Sequence, residues 1–253
     1  FSDATFSSLI DTGSMFEGYK PMVKNPILMP ERDNISKLTN MKYMFKNTSV
    51  DNSSYSLNLS SFNTENITDM SYLFGSDNIN TNYQRKIIFG THFTTKNVTN
   101  MQGMFKNLTL GSEQLSFDSQ FNTSMVTNMS EMFMGLINKT PLTLSTFNTE
   151  KVTDMSSMFA NSTTTSIDIT GFKTNRLSNS SEMFRNNKNL TTILASADFR
   201  NDSINNSSDM FTDSTKLQGG NGTVYDANHL DKEYARIDDA TNGHPGYFTI
   251  KNT

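Results

Sequence analysis

The chain contains no cysteine. That removes disulfides, cysteine-ligated zinc and thiol chemistry together. It also lacks a basic stripe. Twenty-one Lys and Arg face 25 Asp and Glu, for a formal charge of −4, with a pI near 5.4. Nucleic-acid-binding domains usually carry clustered cations and a pI above about 9. The apolar runs are only a few residues long, whereas a membrane span needs about 20. Catalytic signatures are missing too: no Gly-x-Ser-x-Gly elbow, P-loop or dinucleotide fingerprint is present. His92, His229 and His244 do not stand at metal-binding spacing. Asp226, Asp231, Asp238 and Asp239 do not follow calcium-loop spacing. The expectation is therefore a binding protein without cofactor or metal, not an enzyme, with no nucleic-acid partner and no membrane insertion.

Hydrophobic residues make up 34%, against about 45–50% in an average globular domain. Mean hydropathy is −0.52. A disordered chain and a thin fold with much surface per residue both fit these values. Nineteen Phe and 16 Met favour the thin fold, because disordered chains are poor in large apolar groups. Asn, Ser and Thr fill the deficit, since charged residues are only 18%. Such a composition suits an exported bacterial protein and is also compatible with a cytosolic one. The chain opens at Phe1 and reads as a segment of a longer protein.

What the chain does have is a repeat. An apolar residue is followed by Met three on, then by Met-Phe: Leu38…Met41…Met44-Phe45, Ile67…Met70…Leu73-Phe74, Val98…Met101…Met104-Phe105, Val126…Met129…Met132-Phe133 and Val152…Met155…Met158-Phe159. Looser copies end at Met183-Phe184 and Met210-Phe211, and a degenerate first copy runs from Leu9 to Met15-Phe16. The period is 25–31 residues over eight copies, which suits leucine-rich-repeat units. Phe62, Phe93, Phe121, Phe147, Phe172 and Phe199 each lie 12 residues before their Met-Phe partner. Length variation is confined to the stretch after each Met-Phe, as expected of loops on one face.

The fold expected is an α/β, leucine-rich-repeat-like solenoid over residues 1–215, closed by a C-terminal capping segment at 216–253. The Met-Phe block has helical spacing on one side. The preceding runs alternate as short strands: Leu57-Asn-Leu59, Ile87-Ile-Phe89, Leu115-Ser-Phe117, Leu142-Thr-Leu144 and Ile167-Asp-Ile169. One strand and one short helix per coil would put a parallel sheet on one face and helices on the other. The Met residues read as core filler in this scheme. Asn58, Asp118, Thr143 and Asp168 read as outward strand positions in successive coils. They are the candidate binding residues, able to hydrogen-bond sugar hydroxyls.

Phe147-Asn-Thr-Glu-Lys-Val-Thr-Asp-Met-Ser-Ser-Met-Phe159 resembles the repeat of BspA-type leucine-rich-repeat surface proteins of Gram-positive bacteria. The likeness covers about residues 5–215. The tail from Tyr225 to Phe248 resembles the segment that closes the array in lactobacillar members. The resemblance implies a cell-wall-anchored adhesin that binds host mucin glycans or extracellular-matrix protein through the solenoid face. A monomer is expected. The competing reading is a structural spacer or stalk that presents another domain of the same surface protein.

Overall fold

A computed structural model describes residues 10–18, 37–48, 56–60, 62–78, 86–90, 92–110, 115–138 and 140–251. Leu9 lies outside them. The described backbone is strand, turn and loop. Among the described residues six strands form: β1 (Ser56–Asn58), β2 (Lys86–Ile88), β3 (Leu142–Thr143), β4 (Ser166–Asp168), β5 (Thr192–Ala195) and β6 (Phe248–Ile250). β1 and β2 pair in parallel, and β3-β4-β5-β6 form a second parallel sheet in that order. The expected strand at Leu115–Phe117 is loop, so one anticipated sheet is two. β6, from the tail, had no counterpart in the sequence reading.

The helices expected on the opposite face are absent among the described residues; the only helical pieces are the 3-10 turns Lys232–Tyr234 and Ala240–Asn242. The Met-Phe blocks are pairs of β-turns linked by a third i→i+3 bond. In the block from Met155, Met158 N–H donates to Met155 O, Ala160 N–H to Ser157 O and Ser162 N–H to Phe159 O. The alternate residues point their amides elsewhere. Met155, Ser157, Phe159 and Asn161 donate to Asn179, Ser181, Met183 and Arg185 of the next coil. An α-helix would instead return every N–H to the carbonyl four residues back. Ser157 has φ 53° and Asn161 φ 60°, the left-handed value that the third position of a type II turn requires.

Those two left-handed positions recur as columns. Ser14, Tyr43, Tyr72, Gly103, Glu131, Ser157, Glu182 and Asp209 form the first. Gly18, Asn47, Asn107, Gly135, Asn161, Asn186 and Asp213 form the second, made entirely of the residue types that tolerate this conformation best. The turns explain the misread period. Residues i, i+3 and i+4 share one side in a helix, and two consecutive turns achieve the same.

Three ladders join the coils. Parallel bridges connect Asp11, Asn40, Asp69, Asn100, Asn128, Asp154, Asn179 and Asn206 in succession. In each of the eight, Oδ1 accepts the backbone N–H two residues on, at 2.6–3.3 Å. This local bond fixes the turn that follows. Inside, Phe16, Phe45, Phe74, Phe105, Phe133, Phe159, Phe184 and Phe211 form one continuous stack. Centroids are 5.3–6.1 Å apart and planes within 18°. The repeat methionines Met41, Met70, Met101, Met129 and Met155 are fully buried beside it. A buried threonine column is the third ladder. Thr149 Oγ1 donates to Lys173 O and accepts from Lys173 N, both at 2.8 Å. Thr64, Thr123 and Thr174 make the same pair of bonds. Each hydroxyl bridges to both the backbone N–H and the C=O of one residue in the next coil.

The tail covers the last rung. Tyr247 is fully buried and meets Phe211 edge-on at 5.0 Å; Phe248 of β6 meets Phe199 at 4.9 Å. Buried Asp238 holds the Gly219–Gly222 turn, accepting from Asn221 N at 2.8 Å and Thr223 Oγ1 at 2.6 Å. An open stack of rings needs such a cover to exclude water.

Candidate binding surface

Strand register decides which side chains share a face. Asn58 pairs with Ile88. Thr143, Asp168, Leu194 and Thr249 follow one another across the larger sheet. The outward column is thus chemically mixed, with Ile88 and Leu194 among its members. Asn58 sits in β1 as expected, but its side chain lies outside the described residues. Thr143 is exposed in β3.

Asp168 is in register beside Thr143 but is buried, with 5% exposure. Its Oδ1 accepts from Thr170 N and Oγ1, at 3.0 and 2.7 Å, and its Oδ2 from Lys251 Nζ at 2.7 Å. Burial works against its charge. The bonds from Lys251 and Thr170 outweigh that and hold the carboxyl below its ordinary range. Asp168 thus ties the tail to the sheet.

Asp118 is not on a strand. It lies in the loop where the sheets are interrupted, and its Oδ1 accepts from Gln120 N at 2.9 Å. With Phe117, Phe121, Asn122, Thr146 and Asn148 it lines an open depression of about 410 Å³. The structure therefore brings Thr143 and Asp168 together on one sheet and leaves Asp118 in a separate recess.

A more regular polar surface was missed. Thr39, Thr68, Thr99, Thr127 and Thr153 are all exposed. Each donates its N–H to the carbonyl of the coil before, at 2.8–2.9 Å, and its hydroxyl at 3.2–3.3 Å. Half-buried Asn40, Asp69, Asn100, Asn128 and Asp154 run alongside. The sequence carried this signal openly, in the Thr-Asn/Asp that precedes each first Met.

A charged aromatic ridge lies on the first left-handed column. The Tyr43 and Tyr72 rings meet at a tilt, with centroids 5.3 Å apart. Gly103 leaves room for the Tyr72 ring, for a Cβ there would stand 2.3 Å from it. Tyr72 Oη thereby passes over one coil and donates to Glu131 Oε2 at 3.3 Å, beside the Lys106–Glu131 ion pair. Burial and the Glu131 charge push the Tyr72 hydroxyl up to about 12.

A family described as Mycoplasma protein of unknown function, DUF285, matches over residues 10–119 and again over 109–223. The chain belongs to this family. The two matches span the coils from the first Asx position, Asp11, to the Gly219–Gly222 turn. No curated protein and no solved structure matches the chain.

Proposed function

We propose that this DUF285 member is an extracellular adhesin module of the BspA-like, leucine-rich-repeat kind. In this reading eight coils display a repeating polar face to host mucin glycans or matrix protein. The observation that carries it is the exposed Thr–Asx stripe. It presents the same hydroxyl and amide or carboxylate pair once per coil, about 4.8 Å apart. A repeating polymer, rather than a single small substrate, matches a surface that repeats. Wall anchoring, a Gram-positive source and action without catalysis belong to the same proposal.

The test is binding of the purified chain to arrays of mucin glycans and matrix proteins, alongside the double variant Thr99→Arg/Thr127→Arg. The expected result is retention on glycan or matrix spots, lost in the variant, whose large side chains stand on the exposed stripe. No retention of the native chain would refute the reading. The spacer alternative is favoured by one observation, the unbroken phenylalanine stack, which stiffens the coils into a single rod. Full adhesion by cells lacking this segment would select it.

A further inference from the structure

The depression at the sheet interruption combines an aromatic floor with a polar rim. Its floor is aromatic: Phe117 is half-buried, so part of its ring faces the opening, and Phe121 lies behind it at 4.6 Å. Its rim is polar. Asn122 and Asn148 are exposed, and their Oδ1 atoms accept from Ser124 N at 2.8 Å and Glu150 N at 3.0 Å. The Asn148 amide also bonds the Glu150 carboxylate, whereas Asn122 Nδ2 has no partner among the described residues. Asp118 uses one oxygen for Gln120 and keeps Oδ2 for a ligand. The exposed hydroxyl of Thr146 completes the rim.

The Asx bonds also fix these groups in place. An Oδ1 held against the backbone sets the direction of its Nδ2 or Oδ2 before any ligand arrives, which lowers the entropy lost on binding. The opening, about 410 Å³, falls in the roughly 300–1,000 Å³ range of small-molecule sites.

We propose that this depression is a subsite for one neutral hexopyranose or N-acetylhexosamine residue of a glycan. The inference rests on the glycan-binding reading above and names the sugar class and the place. A pyranose offers an apolar C–H face to Phe117 and a ring of hydroxyls to the rim. Vicinal hydroxyls donate to Asp118 Oδ2, and the Asn122 amide donates to a sugar oxygen. Asp118 is the one ionisable residue lining the recess. It strengthens bonds from neutral hydroxyls and repels sugars that carry carboxylate or sulfate, so sialic acid is excluded here.

The experiment is amide and side-chain NMR of the whole chain titrated with methyl hexosides, N-acetylhexosamines and N-acetylneuraminic acid at millimolar concentration. It is repeated on Thr146→Trp, which fills the recess from its exposed rim, and on Asp118→Asn, which keeps the bond to Gln120 and removes the charge. The expected result is saturable shifts at Phe117, Asp118, Asn122 and Asn148 with a neutral sugar and none with N-acetylneuraminic acid. Thr146→Trp should abolish them, and Asp118→Asn should weaken binding about tenfold, or 1.4 kcal/mol. No shift with any neutral sugar, or equal binding by Thr146→Trp, overturns the subsite. Glycan retention abolished by the stripe variant but untouched by Thr146→Trp also overturns it, leaving the adhesin reading intact. Saturable shifts without retention on any mucin or matrix surface would uphold the subsite and remove the adhesin reading.

Discussion

Replacing Ser157 with glycine tests the turn architecture by the sign of its effect. Ser157 holds φ 53°. For an L-residue this conformation costs roughly 1–2 kcal/mol. Glycine adopts it freely, but loses about 0.5–1 kcal/mol through its greater freedom in the unfolded chain. The net expectation is a gain of about 0.5–1 kcal/mol. The side chain contributes little against this, since Ser157 Oγ reaches Glu182 Oε2 only at 3.4 Å in a half-exposed setting. Were the Met-Phe block a helix, the same change would cost about 0.5 kcal/mol, because glycine is the poorer helix former. Urea unfolding followed by circular dichroism, with the slope checked for constancy, measures the difference. A lower midpoint for Ser157→Gly would refute the left-handed turn. Gly103→Ala is the opposite control. There a Cβ meets φ 58° and, at 2.3 Å, the Tyr72 ring, so a loss of at least 1–2 kcal/mol is expected, roughly the cost of the backbone conformation alone.

Three further outcomes are expected. Phe159→Ala removes a fully buried ring stacked on Phe133 at 5.8 Å and on Phe184 at 5.3 Å; it should cost about 3–5 kcal/mol by denaturant titration. Thr149→Val keeps the shape but strands the N–H and C=O of Lys173, for a loss of about 1–3 kcal/mol; Thr149→Ser should recover most of it. Asp168 has a depressed carboxyl, so its contribution is present above the unfolded value of about 3.9 and is lost as pH falls through the folded one. Thermal melts of Asp168→Asn should therefore lie below native at pH 7 and converge with it in strong acid. The gap should be only about 1 kcal/mol because Lys251 is half-exposed.

The sequence by itself determined the repeat, the phenylalanine and methionine core and the positions of most strands. Burial is dictated by apolar spacing, and Phe45 to Phe211 could go only inward at that regularity. It also carried the Asx column and its exposed threonines, residue by residue. It could not distinguish a helix from two linked turns, because both put residues three and four apart on one side. Only inter-coil pairing decides that, by taking alternate amides away from the local chain. Nor could it place Asp118 and Asp168. Both read as outward strand residues by alternation, yet Asp168 is covered because Lys251, 83 residues later, returns to it. Asp118 opens onto a recess because the strand expected before it does not pair. Alternation is local, whereas which neighbour arrives at a strand, and whether one arrives at all, is settled by contacts between distant coils.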